Sequence, residues 1–166
     1  MKTSIISLIA SLDEDNGIGF KGKIPWHIRE DFKWFKEKTM CHVVVMGSKT
    51  FDSIVKKLGK PLPGRTSIVV TRQKNLKYEK VLTVDSIERG IKLARKKEKN
   101  GEIFIIGGGQ IYDQTINLAD RLYITKVKGK YGADTFFPKY DKFKKLIYSQ
   151  KSKIGNLNFE FNILEK

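Results

Sequence analysis

Residues 103–112 read Ile103-Phe104-Ile105-Ile106-Gly107-Gly108-Gly109-Gln110-Ile111-Tyr112, an apolar run followed by three glycines and an amphipathic segment. This order predicts a buried β-strand, a tight turn and the start of a helix. Glycines let the backbone approach a ligand closely, and a helix start presents free N–H groups to a phosphate. The segment is not a P-loop and lacks the third glycine of the dinucleotide fingerprint, so a purely structural turn stays an alternative.

Three further apolar runs, at residues 5–12, 43–46 and 67–70, have the same character. Each run is nearly unbroken, which is typical of parallel strands that are covered on both faces. Strands of this kind are joined by right-handed crossovers that contain helices. The runs therefore predict a parallel sheet with helices between its strands.

Helical patterns follow three of these runs. The first covers residues 48–58, and another covers 110–118. Between them, Asp85 and Glu88 have capping-box spacing, which predicts a helix from Asp85 that ends near Asn100-Gly101.

The last part of the chain has a different period. Apolar and polar residues alternate over 157–163, and with residues 146–150 and Gly155-Asn156 they predict an antiparallel hairpin at the sheet edge. We predict an α/β fold with one domain over residues 1–166. It has a central, mostly parallel β-sheet flanked by helices, and a C-terminal antiparallel hairpin.

Composition excludes several classes of protein. Of 166 residues, 40% are hydrophobic and one is cysteine, Cys41, which argues against disorder, a disulfide framework and a Cys-rich zinc site. We expect a reduced, cytoplasmic setting. The run at 5–12 is interrupted by serines and followed by acidic residues, so we expect neither a signal peptide nor a membrane span.

The charge of the chain is strongly basic. It has 33 Lys+Arg against 18 Asp+Glu, a formal net charge of +15. This excess favours anionic partners such as nucleotides, nucleic acid or acidic membranes. A lysine-rich proteome is the alternative explanation. The basic clusters at 95–97 and 139–153 are typical of solvated faces.

Asp31 is the candidate acid. The helical pattern around it places Phe32 and Phe35 on the core-facing side and Asp31 at the edge of that side. A carboxyl group beside aromatic rings is desolvated, which raises its pKa and lets it hold a proton near neutrality. The alternative is an aspartate that only stabilises the N-terminal turn of its helix.

Cationic and hydroxyl side chains follow the strand ends. Ser48, Lys49, Thr71 and Arg72 stand where an NAD site would place a carboxylate, so a dinucleotide bound here would be NADP. Chance lysine and arginine residues are the alternative.

Two loops and the histidines complete the set of candidates. The glycine-rich loop at residues 16–26 is typical of a lid, and Arg65 ends a Pro-rich turn where it can bind a carboxylate or lie in solvent. His27 and His42 have no metal-ligand spacing, so we predict no metal.

In this order and spacing the sequence resembles the dihydrofolate reductase family over nearly its whole length. The resemblance depends on short motifs along the chain: Ile9-Ala10, Gly17-Ile18-Gly19, Pro25-Trp26, Asp31, Trp34-Phe35-Lys36, Met46-Gly47, Thr50-Phe51, Ser53-Ile54, Pro61-Leu62-Pro63-Gly64-Arg65, Ile106-Gly107-Gly108-Gly109, Tyr123-Ile124-Thr125 and Asp134-Thr135-Phe136-Phe137-Pro138. It implies NADPH-dependent reduction of 7,8-dihydrofolate to 5,6,7,8-tetrahydrofolate, in support of one-carbon metabolism and of thymidylate and purine synthesis.

The resemblance also implies residue roles. Asp31 orients the pterin and favours protonation at N5, with Thr125 as its support, and Arg65 holds the α-carboxylate of the glutamyl tail. Apolar walls come from Ile9, Phe35, Ile54 and Ile106. NADPH would be bound by three groups: Ser11, Ile18, Gly19 and Lys21 over the nicotinamide; Gly107, Gly108, Gly109, Gln110, Ile111 and Tyr112 at the pyrophosphate; and Ser48, Lys49, Thr50, Thr71 and Arg72 at the adenosine phosphate.

Some positions differ from the family pattern. Phe51, Gln110, Ile24 and Phe32 replace common Trp, Arg, Met and Leu residues, and residues 55–60 resemble an insertion at the exit of a helix. Ile24 and Phe32 are changes in the pocket, so the sensitivity of this protein to antifolates does not follow from the resemblance.

The partner implied is a small molecule, dihydrofolate with or without a polyglutamyl tail, and we expect a monomer. The alternatives are a pyrimidine reductase of flavin synthesis, which shares a similar fold and NADPH, and a basic nucleic-acid-binding module. The chain lacks the interleaved aromatic and basic residues that the latter needs.

Overall fold

An eight-stranded sheet forms the centre of the computed structural model, which describes residues 3–74 and 76–166. The strands, in chain order, are β1 (Ile5–Leu12), β2 (Gly17–Gly19), β3 (Val43–Gly47), β4 (Thr66–Val70), β5 (Val81–Val84), β6 (Glu102–Gly107), β7 (Arg121–Val127), β8 (Thr135–Phe136), β9 (Lys145–Ile154) and β10 (Leu157–Glu165). All but β2 and β8 belong to this sheet, and those two pair with each other.

The sheet has the order β5-β4-β3-β6-β1-β7-β10-β9. Its first six strands run parallel, whereas β10 is antiparallel to both β7 and β9. The predicted mostly parallel sheet and its C-terminal antiparallel hairpin are confirmed. All four apolar runs are strands within one residue of the predicted bounds.

Four helices accompany the sheet: α1 (Arg29–Thr39), α2 (Ser48–Leu58), α3 (Ile87–Lys97) and α4 (Gly109–Thr115). Alternate residues of the parallel strands enter two apolar layers, one on each face. Ile103 and Ile105 of β6 pack on one face, and Phe104 and Ile106 pack on the other. Burial on both faces explains why these strands are continuously apolar. None of the helices in the described residues is long and apolar enough to cross a bilayer.

Three predicted helix details were wrong. The N-cap of α3 is Ser86, whose Oγ accepts a hydrogen bond from the Arg89 backbone N–H at 3.2 Å, and Asp85 instead forms an ion pair with the Arg89 side chain. The helix ends at Lys97, before Asn100-Gly101. The last helix spans Gly109–Thr115 rather than 110–118.

The expected core face of α1 also needs a correction. Phe32 is 39% exposed, whereas Trp34 is buried. The Trp34 ring stacks on Phe161 of β10 with centroids 4.6 Å apart, so the hairpin selects which side of α1 is covered. The helix pattern alone carries no information about that long-range contact.

Candidate active site

The candidate residues converge on the edge of the sheet where the parallel strands have their carboxyl ends. Gly47 ends β3, Gly107 ends β6, and Thr71 follows β4 directly. Thr125 lies near the end of β7 and pairs with Ser11 of β1. In open α/β sheets ligands bind outside this edge, where neighbouring strands diverge into their connections.

Asp31 lies in the first turn of α1 and faces β7. The Thr125 hydroxyl, which is buried, donates a hydrogen bond to Asp31 Oδ1 at 2.6 Å. Burial raises the pKa of Asp31, and the hydroxyls of Thr125 and Ser11 oppose that shift. The carboxyl group therefore has the partly desolvated environment that the sequence predicts.

Hydrogen bonds hold the β1 residues beside Asp31, Ser11 and Ile9, in place. The Trp26 indole Nε1–H donates to Ser11 Oγ at 2.8 Å. The buried Tyr112 hydroxyl donates to the Ile9 carbonyl at 2.6 Å, and both burial and the charge of Asp31 raise its pKa. Tyr112 thus stays protonated and ties α4 to β1 beside the site. Its hydrogen bond to Ile9 is a structural role that the sequence did not indicate.

The four predicted wall residues belong to one hydrophobic cluster. Ile9 and Ile106 are 5% and 9% exposed, and Phe35 and Ile54 pack partly buried against the same cluster. The structure thus brings the four predicted wall residues into one apolar layer on the α1 side of the sheet. Such a layer excludes water from one side of a ring that lies against it.

Arg65 is buried, with 5% of its surface exposed, so the alternative of an arginine in solvent is wrong. Its Nε donates to the Pro63 carbonyl at 2.8 Å, and its Nη1 donates to Thr39 Oγ1 at 3.1 Å. Burial lowers its pKa, yet no carboxylate of residues 3–74 and 76–166 forms an ion pair with it. A guanidinium held in this way is suited to an anionic ligand.

The glycine turn packs closely against the other predicted cofactor residues. Gly107 has φ +122°, a conformation that favours glycine. A Cβ on Gly108 would lie 3.6 Å from Thr50 Oγ1, and one on Gly109 would lie 2.8 Å from Thr135 Cγ2 and 4.0 Å from Ile18 Cδ1. These glycines therefore bring the start of α2 and the β2–β8 sheet close to the turn.

The adenosine-phosphate candidates follow the ends of two neighbouring strands, β3 and β4. Gly47 pairs with Val70, so Ser48 and Lys49 at the start of α2 lie beside Thr71 and Arg72. Lys49 and Arg72 are exposed, and Thr71 Oγ1 accepts a hydrogen bond from the Gln73 backbone. The structure thus places two cations and several hydroxyls at one edge of the sheet.

Two residues assigned to the pyrophosphate lie at the start of α4. Gln110 is exposed, and Ile111 is buried against Gly47.

Hydrogen bonds attach the glycine-rich loop at both ends. The Lys21 backbone N–H donates to Asp134 Oδ2 at 2.9 Å, and Gly19 pairs with Thr135. Asp13, which is 2% exposed, accepts hydrogen bonds from the backbone N–H groups of Asp15, Gly17 and Tyr131. Its role was missed, although an aspartate just before a glycine turn is a local signal for such bonds. Ser11, which the resemblance groups with the loop residues Ile18, Gly19 and Lys21, lies in β1.

The matching family model is described as dihydrofolate reductase and covers residues 5–166. The chain belongs to the dihydrofolate reductase family. The dihydrofolate reductase of Buchnera aphidicola (subsp. Baizongia pistaciae, strain Bp) is 41% identical over 167 residues, 97% of this chain and 98% of its own. That of Bacillus subtilis (strain 168) is 36% identical over 166 residues, 98% of this chain and 95% of its own.

A solved structure agrees with the sequence matches. The dihydrofolate reductase from Enterococcus faecalis complexed with NADP(H) and RAB-propyl has a TM-score of 0.84 and 32% identity, and the match covers 97% of this chain and 95% of that chain. The predicted fold and the predicted enzyme class, an oxidoreductase of the dihydrofolate reductase family, are therefore confirmed.

Proposed function

We propose that Asp31 is the acidic group with which this enzyme reduces 7,8-dihydrofolate to 5,6,7,8-tetrahydrofolate. The observation that carries the proposal is the Asp31 carboxyl group, which is partly buried and hydrogen-bonded to buried Thr125 on the α1 side of the sheet. A carboxylate accepts two parallel N–H bonds, so it can orient an amino-substituted heterocycle such as a pterin. Its raised pKa keeps a proton available near the ring at higher pH than an exposed aspartate does.

The remaining substrate contacts follow from the surroundings of Asp31. Ile9, Phe35, Ile54 and Ile106 enclose the flat heterocycle and exclude water from it. Arg65 lies near the C-terminal end of α1, where its hydrogen bonds to Pro63 and Thr39 orient the guanidinium. We assign Arg65 to the α-carboxylate of the glutamyl tail, whether the tail holds one glutamate or several.

The chain's donors and cations fit NADPH, which supplies the hydride when it is bound. Ser48, Lys49, Thr50, Thr71 and Arg72 provide hydroxyls and positive charge for a 2′-phosphate and the adenosine end. The turn of Gly107, Gly108 and Gly109, with Gln110, Ile111 and Tyr112 after it, is close enough to Thr50 to form the opposite wall of a pyrophosphate site. Ile18, Gly19 and Lys21, with Ser11 behind them, are assigned to the nicotinamide side.

We assign the enzyme to the cytoplasm as a monomer that acts on small molecules and supports one-carbon metabolism and thymidylate and purine synthesis. The excess of 33 Lys+Arg over 18 Asp+Glu raises the local concentration of anionic substrate and cofactor. Since both ligands are anions, the basic charge does not require a nucleic acid partner.

A spectrophotometric assay tests the proposal. Loss of the nicotinamide absorbance is expected when protein, NADPH and dihydrofolate are mixed, and no loss is expected with the aminopyrimidine substrates of flavin synthesis. Arg72→Ala should reduce the ratio of kcat/KM for NADPH to that for NADH, because a cation at the 2′-phosphate is removed. An unchanged ratio would exclude Arg72 from the cofactor site, and oxidation of NADPH with the aminopyrimidine alone would favour the pyrimidine reductase.

A further inference from the structure

Tyr131, in the loop between β7 and β8, packs against an aromatic residue beside the candidate active site. Its ring meets the Trp26 indole edge to face, with centroids 5.2 Å apart. Trp26 is buried, and Tyr131 is partly buried against the same apolar cluster. Gly129 has φ +117°, and a Cβ at that position would crowd the Tyr131 ring at 3.3 Å. This glycine thus allows the ring to fold back over the loop.

The buried carboxyl group of Asp13 fixes the backbone of Tyr131. Asp13 Oδ2 accepts a hydrogen bond from the Tyr131 backbone N–H at 3.2 Å, while Oδ1 accepts one from the Gly17 N–H at 2.7 Å. Gly17 leaves room for this group, because a Cβ there would lie 2.8 Å from Asp13 Oδ2. Asp13 follows directly after β1, the strand that carries Ser11. The backbone of Tyr131 is therefore held at a fixed position relative to β1.

Trp26 connects Tyr131 to Ser11. Its indole Nε1–H donates to Ser11 Oγ at 2.8 Å. An indole N–H can only donate and a serine hydroxyl has one hydrogen, so this bond turns the Ser11 hydrogen away from the indole. The Ser11 hydroxyl is then free to donate to Asp31, and its hydrogen bond lowers the pKa of that carboxyl group against the larger effect of burial. A continuous series of contacts thus joins Tyr131 to Asp31.

We propose that Tyr131 is a positioning residue for Asp31, because it holds Trp26 in the orientation that directs the Ser11 hydroxyl to the carboxyl group. The inference rests on the proposed function, in which Asp31 is the acidic group of the reaction. Tyr131 acts through Trp26 and Ser11 rather than by contact with the substrate. The proposal therefore assigns a role to a residue of the loop after β7.

The test compares Tyr131→Leu with two controls. Leucine keeps the backbone N–H but removes the ring from Trp26. Tyr131→Phe keeps the ring and removes only a hydroxyl whose hydrogen bond to the Lys128 carbonyl is long, 3.4 Å. Tyr140→Leu is the matched loss of a tyrosine ring elsewhere, since Tyr140 packs edge to face on Phe137, with centroids 5.8 Å apart, on the other face of the sheet.

The first readout is the pKa of Asp31 in the ligand-free enzyme. NMR titration of ¹³C-labelled carboxyl groups measures it, and the signal that Asp31→Asn removes identifies the residue. We expect Tyr131→Leu to raise this pKa by about 0.3–1 pH unit, the equivalent of one weakened hydrogen bond from Ser11. Tyr131→Phe and Tyr140→Leu should leave it unchanged. The titratable group of α4 that is coupled to Asp31, the Tyr112 hydroxyl, stays protonated because burial raises its pKa.

Turnover and a double-mutant cycle test the route of this effect. The pH at which kcat falls to half its maximum should rise in Tyr131→Leu by the same amount as the pKa of Asp31. Ser11→Ala alone should also raise that pKa. Adding Tyr131→Leu to Ser11→Ala should raise it no further, because the hydroxyl through which Tyr131 acts is absent.

Several outcomes would overturn the inference. It is wrong if Tyr131→Leu leaves the pKa of Asp31 unchanged, if Tyr140→Leu raises it equally, or if the effects of Tyr131→Leu and Ser11→Ala add. Should Tyr131→Leu not fold, Tyr131→Met also lacks the ring, fits irregular apolar gaps and has the same expected result.

A failure of the proposed function has a different signature. The unmodified enzyme would then not reduce dihydrofolate, or Asp31→Asn would react at a near-normal rate. The NMR titration does not depend on turnover, so it would still show whether Tyr131 changes the pKa of Asp31.

Discussion

Asp31 combines two requirements that conflict in a stable protein. Burial among apolar side chains raises its pKa, which suits proton transfer, but the ionised form is then unfavourable in the folded state. The Thr125 hydroxyl, 2.6 Å from Oδ1, reduces this penalty without removing it. The site thus keeps an acid in a position where an uncharged group would stabilise the fold more.

Asp31→Asn should lower kcat by about 10²–10⁴-fold, because it removes a proton-transfer group while keeping an oxygen for Thr125. In the unmodified enzyme kcat should fall as pH rises through the raised pKa of Asp31, since the protonated form is lost. Steady-state rates over a pH series check both effects. A near-normal rate for the variant at neutral pH would contradict the assignment.

The same substitution should stabilise the folded protein. Between the unfolded and the raised folded pKa of Asp31 the native state binds more protons, so the free energy of unfolding decreases as pH rises through that window. Asparagine has no proton to lose. Urea unfolding should therefore show Asp31→Asn to be more stable at pH 7, and the gain should disappear below about pH 4.

Arg65→Ala should weaken dihydrofolate binding by about 1.5–3 kcal/mol, the scale of a hydrogen bond to a charged group. Fluorescence titration measures this loss, and binding of 6-methyl-7,8-dihydropterin, which has no glutamyl tail, serves as the control. Arg65 also donates hydrogen bonds to Thr39 and Pro63, so its loss affects stability as well as binding. The urea unfolding midpoint of the variant must therefore be measured together with its affinity. Equal affinity of the variant and the unmodified enzyme for dihydrofolate would exclude the role.

At this scale the sequence predicted residue types better than contacts. Asp31, Thr125 and the wall residues could be proposed because each lies in a short motif of the family pattern, although the residues are far apart in the chain. The burial of Arg65 could not, since it depends on Thr39 at the end of α1, 26 residues earlier in the chain. The local bonds of Asp13 to Asp15 and Gly17 had a sequence signal that was not used, whereas its bond to Tyr131, 118 residues away, had none.

Among the elements, α3 shows how a one-residue difference changes a cap. Asp85 and Ser86 are both good N-cap residues, and Glu88 has capping-box spacing only with Asp85. The structure uses Ser86 and leaves Asp85 to pair with the exposed Arg89 side chain. Sequence alone does not choose between two adjacent polar residues.

Ser86→Ala should lower the free energy of unfolding by about 0.5–2 kcal/mol, because the Arg89 backbone N–H loses its acceptor. The matched variant Asp85→Ala should cost less, about 0.2–1 kcal/mol, since it removes only an exposed ion pair. Urea unfolding of the two variants measures the difference. A larger loss in Asp85→Ala would contradict this assignment and would indicate that Asp85 caps the helix in a capping box with Glu88.

The strands were predicted where burial on both faces makes them continuously apolar. Two parallel strands of the same sheet, β5 and β7, were not predicted. The continuous apolar part of β7 is only residues 122–124, between Arg121 and the polar pair Thr125-Lys126, and β5 is a short edge strand of four residues. Their pairing is determined by neighbours distant in sequence, which a local pattern does not contain.

Across the whole molecule, a network of polar contacts lies at the sheet end opposite the candidate active site. Glu102 Oε1 of β6 accepts hydrogen bonds from Ser7 of β1 and from Tyr123 and Arg121 of β7. Arg121 also pairs with Glu165 of β10. Four neighbouring strands are thus connected at this end, which leaves the carboxyl end free to supply ligand-binding groups.

Tyr123 makes this network sensitive to alkaline pH. Burial, with the Glu102 carboxylate, raises its pKa to about 12, above that of an unfolded tyrosine. The folded state therefore binds more protons above about pH 10, so the free energy of unfolding decreases as pH rises from there. This contribution is lost by about pH 12, and its size is on the order of 1–3 kcal/mol.

Tyr123→Phe should be less stable than the unmodified enzyme at pH 8, by about 1 kcal/mol, because the hydrogen bond to Glu102 is lost. Phenylalanine does not titrate, so the difference should shrink or reverse by pH 11. Urea unfolding at both pH values tests this, and Tyr78→Phe, at a 41% exposed tyrosine, is the control. A stability difference that stays constant from pH 8 to pH 11 would contradict the raised pKa of Tyr123.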